Sequence, residues 1–208
     1  MLNIGVLVSG GGTNLQAILD AIDSGKIKNG RVVTVVSSKS NAYALERAKK
    51  AGIEGAVLSK RQFASQEELD KAIVAHMRSR SVELIVMAGY LSIVGEPLIQ
   101  AYENRIINIH PSLIPSFCGK GFYGLHVHEK VLEYGVKVTG ATTHFVNAVP
   151  DGGAIILQKA VGILDGDTPE ILQKRVMEQA EWEILPQSIA LFCDGKLVVD
   201  GRHVRIRE

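Results

Sequence analysis

The 208-residue sequence predicts an α/β fold: a doubly wound open sheet, mostly parallel in its N-terminal half, with helices on both faces. Short apolar, β-branched runs alternate with stretches whose apolar residues recur at helical spacing. Glycine or proline closes several of those runs. Strands that alternate with helices pair in parallel through crossover connections, and crossovers put helices over the sheet's faces. With no internal repeat, low-complexity tract or Pro/Gly/Ser-rich linker, residues 1–208 are expected to form one domain around one core.

Leu2–Val8 is the first strand, closed by Ser9-Gly10-Gly11-Gly12, and Leu15, Ile18, Leu19 and Ile22 mark the helix that follows. Arg31–Ser37 is the second strand and Ala42–Ala51 its helix, with Gly52 suited to a C-terminal cap. Ala56–Leu58 is a brief strand, Gln66–Arg80 a helix, Glu83–Ala88 a buried strand and Glu96–Tyr102 a short helix. Arg105–His110 is a strand stopped by Pro111, which lacks a backbone donor and disfavours helix in the residue before it. The pattern then loosens into a loop, Pro111–Gly124, with three glycines and two of the chain's six prolines; loops of this length are usually functional. After it come a helix at His126–Tyr134, strands at Lys137–Phe145 and Ala154–Val161, a long helix within Thr168–Phe192, and a last strand at Lys196–Asp200. The basic end, Arg202–Arg207, reads as a polar tail, and Glu46, Arg47, Lys49 and Lys50 as a solvated helix face.

A hydrophobic share of 46% and a charged share of 22% are those of a packed globular chain, and a formal charge of +1 provides no field to steer the molecule onto nucleic acid or an anionic membrane. The two cysteines, Cys118 and Cys193, do not suggest a disulfide scaffold, and no apolar run approaches the roughly 20 residues that span a bilayer. A cytoplasmic protein acting on small molecules, without nucleic-acid or membrane partners and either monomeric or homodimeric, is the expectation.

Three constellations carry chemistry. Ser9-Gly10-Gly11-Gly12-Thr13-Asn14 joins a strand to a helix, where free backbone N–H groups at the positive helix end suit an anion such as phosphate. It lacks the Gly-Lys-Ser/Thr ending of a nucleotide-binding P-loop and the spacing of the dinucleotide fingerprint, and a plain glycine turn would look the same. In Asn108-Ile109-His110-Pro111-Ser112-Leu113, residues two apart on a strand share a face, so an amide that donates without titrating emerges beside an imidazole that can shuttle a proton. That pair suits acyl transfer, in which a carbonyl oxygen gains charge while an amine loses a proton, although a strand-end histidine also serves in ordinary polar networks. Pro150-Asp151-Gly152-Gly153 is a turn that leaves a carboxylate before a strand, and by itself such an Asp is most simply a turn-former.

Taken in order, Ser9-Gly-Gly-Gly-Thr-Asn-Leu-Gln16, Asn108-Ile-His-Pro-Ser-Leu-Ile-Pro115, Gly124-Leu-His126, His144-Phe-Val146 and Asp151-Gly-Gly153 resemble the phosphoribosylglycinamide formyltransferases over about residues 2–200. The resemblance implies a Rossmann-like formyltransferase fold and transfer of a formyl group from the co-substrate 10-formyltetrahydrofolate to glycinamide ribonucleotide in purine biosynthesis, without a metal. It implies catalytic roles for Asn108, His110 and Asp151 with His144 in support, and a phosphate seat at Gly12, Thr13 and Asn14. It also implies ribose binding by Glu181, which aligns only after Arg175–Pro186 is shifted by one residue and is followed by Trp182 where a histidine is common. Folate binding is implied for Tyr90, Leu91, Ser92, Ile93 and Val94 and for Asn147, Ala148, Val149 and Pro150. Ser92 and Gln66 stand where that family often has arginines for the folate tail, leaving Lys60 or Arg61 for the task, and the 116–123 loop is longer by about five residues.

Other readings remain open at this point. Methionyl-tRNA formyltransferase and formyltetrahydrofolate hydrolase share the Asn-x-His and later Asp, but usually carry additional domains. His110, His126, His128 and His144 could suit a zinc-dependent hydrolase, although they lack a nearby acidic or cysteine partner at ligand spacing. A nucleotide-binding module without catalysis would use the glycine turn alone.

Overall fold

The computed structural model describes residues 1–207. Strand β1 (Leu2–Val8) is central in a seven-stranded sheet with β2 (Gly30–Ser37), β3 (Glu54–Val57), β4 (Leu84–Met87), β5 (Ile106–His110), β6 (Val138–Phe145) and β7 (Ile155–Gly162). Their spatial order is β3-β2-β1-β4-β5-β6-β7. The first five strands pair in parallel, and β6 and β7 add antiparallel. The parallel half and its crossovers are the expected ones.

Side-chain alternation sorts the core into two layers. Ile4, Val6 and Val8 of β1, Leu84 and Val86 of β4, and Ile107 and Ile109 of β5 face one layer. There they meet helices α1 (Thr13–Asp23), α2 (Tyr43–Lys50), α5 (Leu125–Tyr134), α6 (Pro169–Val176) and α7 (Trp182–Cys193). Leu7, Ile85, Met87 and Ile106 face the other, beneath α3 (Gln66–Ser79) and α4 (Glu96–Ala101). Asn108 and His110 alternate with Ile107 and Ile109, so they point away from the first layer, as do Thr142 and His144, which lie opposite His110 and Asn108 on β6. Helices α3 and α4 pack on the parallel strands, and the loops after β5 and β6 reach the polar face beside them.

Two expectations are corrected. The long C-terminal helix is interrupted between α6 and α7 by a π-helical turn, Met177–Glu181, which accommodates one more residue than an α-turn. The polar tail is in fact strand β9 (His203–Ile206), paired antiparallel with β8 (Leu197–Asp200) across Gly201-Arg202. Leu197, Val199 and Val204 of this hairpin pack on the first core layer. Among the described residues, no helix is long and apolar enough to cross a membrane.

Candidate active site

Strand order reverses between β1 and β4, and in open α/β sheets the crevice at such a reversal, beyond the carboxyl ends of the strands, is where ligands bind. The glycine turn leaves β1 there. Gly12 caps α1 in the left-handed region, and a Cβ on it would lie 2.7 Å from that of Ala44, so this position demands glycine. The carbonyls of Gly10, Gly11 and Gly12 accept from Ala44 N, Arg47 Nε and Gln16 N. Among the described residues no side chain caps the N-terminus of α1, where Thr13 and Asn14 stand. Arg47 is therefore more than part of a solvated face: it braces the turn and holds Gln16 Oε1 at 3.0 Å. No motif marks it, since its partner is a backbone carbonyl 36 residues away.

Asn14 Nδ2 donates to Glu181 Oε2 at 2.7 Å, which joins the expected phosphate seat to the expected ribose carboxylate. Glu181 is buried, and burial pushes its carboxyl up to about 7 against the opposing hydrogen bond from Asn14. A π-helical turn, Met177–Glu181, delivers it. Thr13 also lines a cavity of about 780 Å³ between α1 and α7, with Gln16, Arg47, Trp182, Pro186 and Gln187. None of Asn108, His110, His144 and Asp151 lines that cavity.

Asn108, His110, His144 and Asp151 form one cluster. Cross-strand register puts His144 opposite Asn108, with His144 Nε2 and Asn108 Nδ2 3.1 Å apart. His144 Nδ1 lies 2.8 Å from the Phe145 carbonyl, which can only accept, so Nδ1 carries a proton and Nε2 is left facing Asn108 and Asp151. The amide keeps a second N–H. Asp151 reaches both rings, with Oδ2 3.6 Å from His110 Nδ1 and Oδ1 3.5 Å from His144 Nε2. Its backbone is left-handed, and Gly153, two residues on, leaves no room for a side chain, because a Cβ would fall 1.7 Å from the Phe145 carbonyl oxygen. Burial alone would raise the Asp151 carboxyl, but the His144 ring, the charge of His110 and the Gly119 N–H together hold it below its ordinary value. Burial pulls the His110 imidazole down, more strongly than Asp151 and the Phe117 carbonyl lift it. Asp151 thus keeps its charge beside an imidazole whose charged form burial disfavours.

Val94 of the first expected folate segment packs on the same core layer as Tyr90, and so does Val146, which immediately precedes the second segment. Leu91 N donates to Ser9 Oγ at 2.9 Å, linking the first segment to the glycine turn. Leu91, Ile93 and Val149 present exposed apolar surface, as a flat aromatic ligand requires. Asn147 braces the second segment by accepting from Val149 N and donating to the Gly152 carbonyl. Ala148 and Pro150 are exposed on the same turn. Gln66 Nε2 is committed to Asp70 Oδ1 and the Ile93 carbonyl, each at 2.9 Å, so it positions the Tyr90–Val94 segment instead of reaching outward. Ser92 is half-buried, and Lys60 and Arg61 are exposed on a short turn before α3. Among the described residues no three His, Cys, Asp or Glu side chains are disposed to hold a metal ion, so the four histidines make no zinc ligand set. His126 instead pairs with Glu129, and His128 is buried in α5 with neither ring nitrogen bonded.

The chain is 43% identical to a phosphoribosylglycinamide formyltransferase of Haemophilus influenzae, over 95% of this chain and 90% of that one. It is 41% identical to the trifunctional purine biosynthetic protein adenosine-3 of Gallus gallus, over 95% of this chain but only 19% of that longer protein. Glycinamide ribonucleotide transformylase 1 of Symbiobacterium toebii superimposes with a TM-score of 0.94 at 46% identity, covering 100% of this chain and 95% of that one. With residues 2–189 also matching the family model described as formyl transferase, the chain belongs to the formyl transferase family.

Proposed function

We propose that this enzyme transfers the formyl group of 10-formyltetrahydrofolate to the amine of 5-phosphoribosylglycinamide, giving formylglycinamide ribonucleotide and tetrahydrofolate in purine biosynthesis. The observation that carries the reading is the convergence of Asn108, His110, His144 and Asp151 within hydrogen-bonding or ion-pair reach of one another, beyond the carboxyl ends of the parallel strands. The sequence and structural relatives support the same chemistry.

The substrate phosphate sits on the N–H groups of Gly12, Thr13 and Asn14, where the helix end favours an anion. Glu181 takes the ribose hydroxyls, and the apolar faces of Leu91, Ile93 and Val149 hold the pterin. The amine nitrogen bonds the formyl carbon, and the carbonyl electron pair moves onto oxygen. The free N–H of Asn108 donates to that oxyanion. Neutral His110 takes the amine proton on Nδ1, and the resulting imidazolium is stabilised by Asp151 while it holds the oxyanion. Collapse breaks the bond to the folate nitrogen, which receives the proton as it leaves.

The test is to incubate the purified protein with both substrates, without metal or ATP, and follow formylglycinamide ribonucleotide by mass. Formation of that product is expected. Absence of it, or release of formate when the amine acceptor is omitted, would replace this reading with a hydrolase or a binding module.

A further inference from the structure

Ser112 belongs to the Asn108–Leu113 motif but has no part in the chemistry above. It is fully buried, and a buried hydroxyl is retained only where it is hydrogen-bonded. Its Oγ donates to the Ser116 carbonyl at 2.6 Å and, more weakly, to the Phe117 carbonyl at 3.3 Å. The Phe117 carbonyl in turn lies 2.9 Å from His110 Nε2. A carbonyl cannot donate, so this contact places a proton on Nε2 and, in the neutral ring, leaves the Nδ1 lone pair facing Asp151 Oδ2 at 3.6 Å. The same loop closes on the carboxylate, because Gly119 N donates to Asp151 Oδ2 at 2.8 Å.

This loop conformation does not arise from local preference. Phe117 is held at a φ of 50°, a region that bulky side chains rarely occupy. Its ring is fixed edge-on against Phe122 and Tyr134, with centroids 6.4 and 5.8 Å away. Behind Ser112, its own carbonyl accepts from Thr142 Oγ1 at 2.6 Å, and Gln158 Nε2 donates to that hydroxyl at 3.0 Å. A buried polar chain thus runs from β7 through β6 to His110, across the strand pair in which Thr142 lies opposite His110.

We propose that Ser112 is a positioning residue that aims the Phe117 carbonyl at His110 Nε2 and so fixes the tautomer in which Nδ1 is the base. A lone pair held against a carboxylate is relieved when a proton arrives, which makes Nδ1 the nitrogen that accepts the amine proton. Groups facing His110 from neighbouring elements are Asp151, His144, and His128 of α5. Cys118 of the loop faces the same carboxylate.

The assignment rests on the proposed function for its kinetic consequence but not for its structural one, so two measurements are paired. Long-range ¹H–¹⁵N spectra of the wild-type protein without substrates should show His110 protonated on Nε2 and bare on Nδ1. In Ser112→Ala that signal should move to mixed or Nδ1-protonated tautomers. Losing one hydrogen bond to a catalytic group predicts a fall in kcat of about ten-fold, with both KM values little changed. Ser112→Cys, a weaker donor of similar size, should recover part of both effects, and it decides the matter if the alanine variant does not fold. Wild-type His110 protonated on Nδ1, or a Ser112→Ala variant that loses kcat while the tautomer and the pH profile stay put, overturns the proposal. If the wild-type protein forms no formylated product but shows the Nε2–H tautomer, the functional reading fails and this assignment stands.

Discussion

His110 works at the boundary between two opposing effects, and the boundary can be measured. Burial lowers its pKa while the Asp151 carboxylate raises it, with a net shift below 6.5. The base proposed here is lost when solvent protonates it, so the acid limb of kcat/KM that belongs to the protein should lie below pH 6.5. Asp151→Asn removes the group that raises the imidazole, so the same limb should move to lower pH, while the substrate amine contributes equally to both profiles. A limb that stays in place, or moves upward, contradicts the pairing. In magnitude, His110→Ala and Asp151→Asn should each lower kcat by roughly 10²–10⁴-fold, as general acid–base groups do, with folding checked by circular dichroism. The strand period alone brought Asn108 and His110 together. Asp151 was far weaker on its own, because an Asp beside two glycines forms turns in most proteins, and only its place in an ordered set of motifs singled it out. The contacts that Arg47 and Ser112 make were not readable, even with Ser112 inside a motif: each acts on a backbone carbonyl, and which carbonyl comes within reach is decided by tertiary packing.

At the level of elements, the C-terminal hairpin separates what stabilises this molecule from what it does. Val204 of β9 packs half-buried on the first core layer, whereas the proposed catalytic cluster lies on the opposite face of the sheet. Val204→Ser removes part of a valine's burial, about 1 kcal/mol, and should lower Tm by roughly 2–4 °C in a chain of this size. Turnover should be unchanged, and differential scanning calorimetry beside a steady-state assay reads both. A large drop in kcat would mean that the hairpin contributes to the site. The hairpin was legible in principle, since Asp200-Gly201 is a strong turn signal and Val204 and Ile206 alternate with charged residues at period two. The density of basic residues obscured it. The π-turn at Met177–Glu181 was not legible, because the apolar spacing of α6 and α7 reads as one helix. The parallel half of the sheet was readable because β1, β4 and β5 are largely buried and form nearly continuous apolar runs.

Across the whole molecule, two buried groups with no contact to each other set opposite slopes on stability against pH. His128 is fully buried with both ring nitrogens unbonded, and burial, helped by the nearby charge of His110, pushes it down to about 4 from 6.5. Between those values the unfolded chain binds a proton that the folded chain refuses, so stability rises with pH, by about 3 kcal/mol across the window. Glu181 is the reverse case: raised to about 7 from 4.5, it keeps its proton when folded and loses it when unfolded, so stability falls by about 3 kcal/mol as pH climbs through that window. The windows overlap from pH 4.5 to 6.5, where the two slopes nearly cancel. His110 and His76, both lowered by burial, add to the first slope, and Asp70, raised by burial, to the second. Single replacements should expose each slope. Urea unfolding of Glu181→Gln should give stability that rises with pH relative to wild type, and His128→Leu stability that falls relative to wild type. His128→Leu should also be the more stable protein below pH 5, since it replaces two unpaired buried nitrogens with carbon. Difference curves of the same sign for both variants would show that one of these groups is solvated in the native state. Because Glu181 is also the proposed ribose ligand, added substrate should stabilise the wild-type protein more than Glu181→Gln, whereas His128→Leu should respond to substrate as the wild type does.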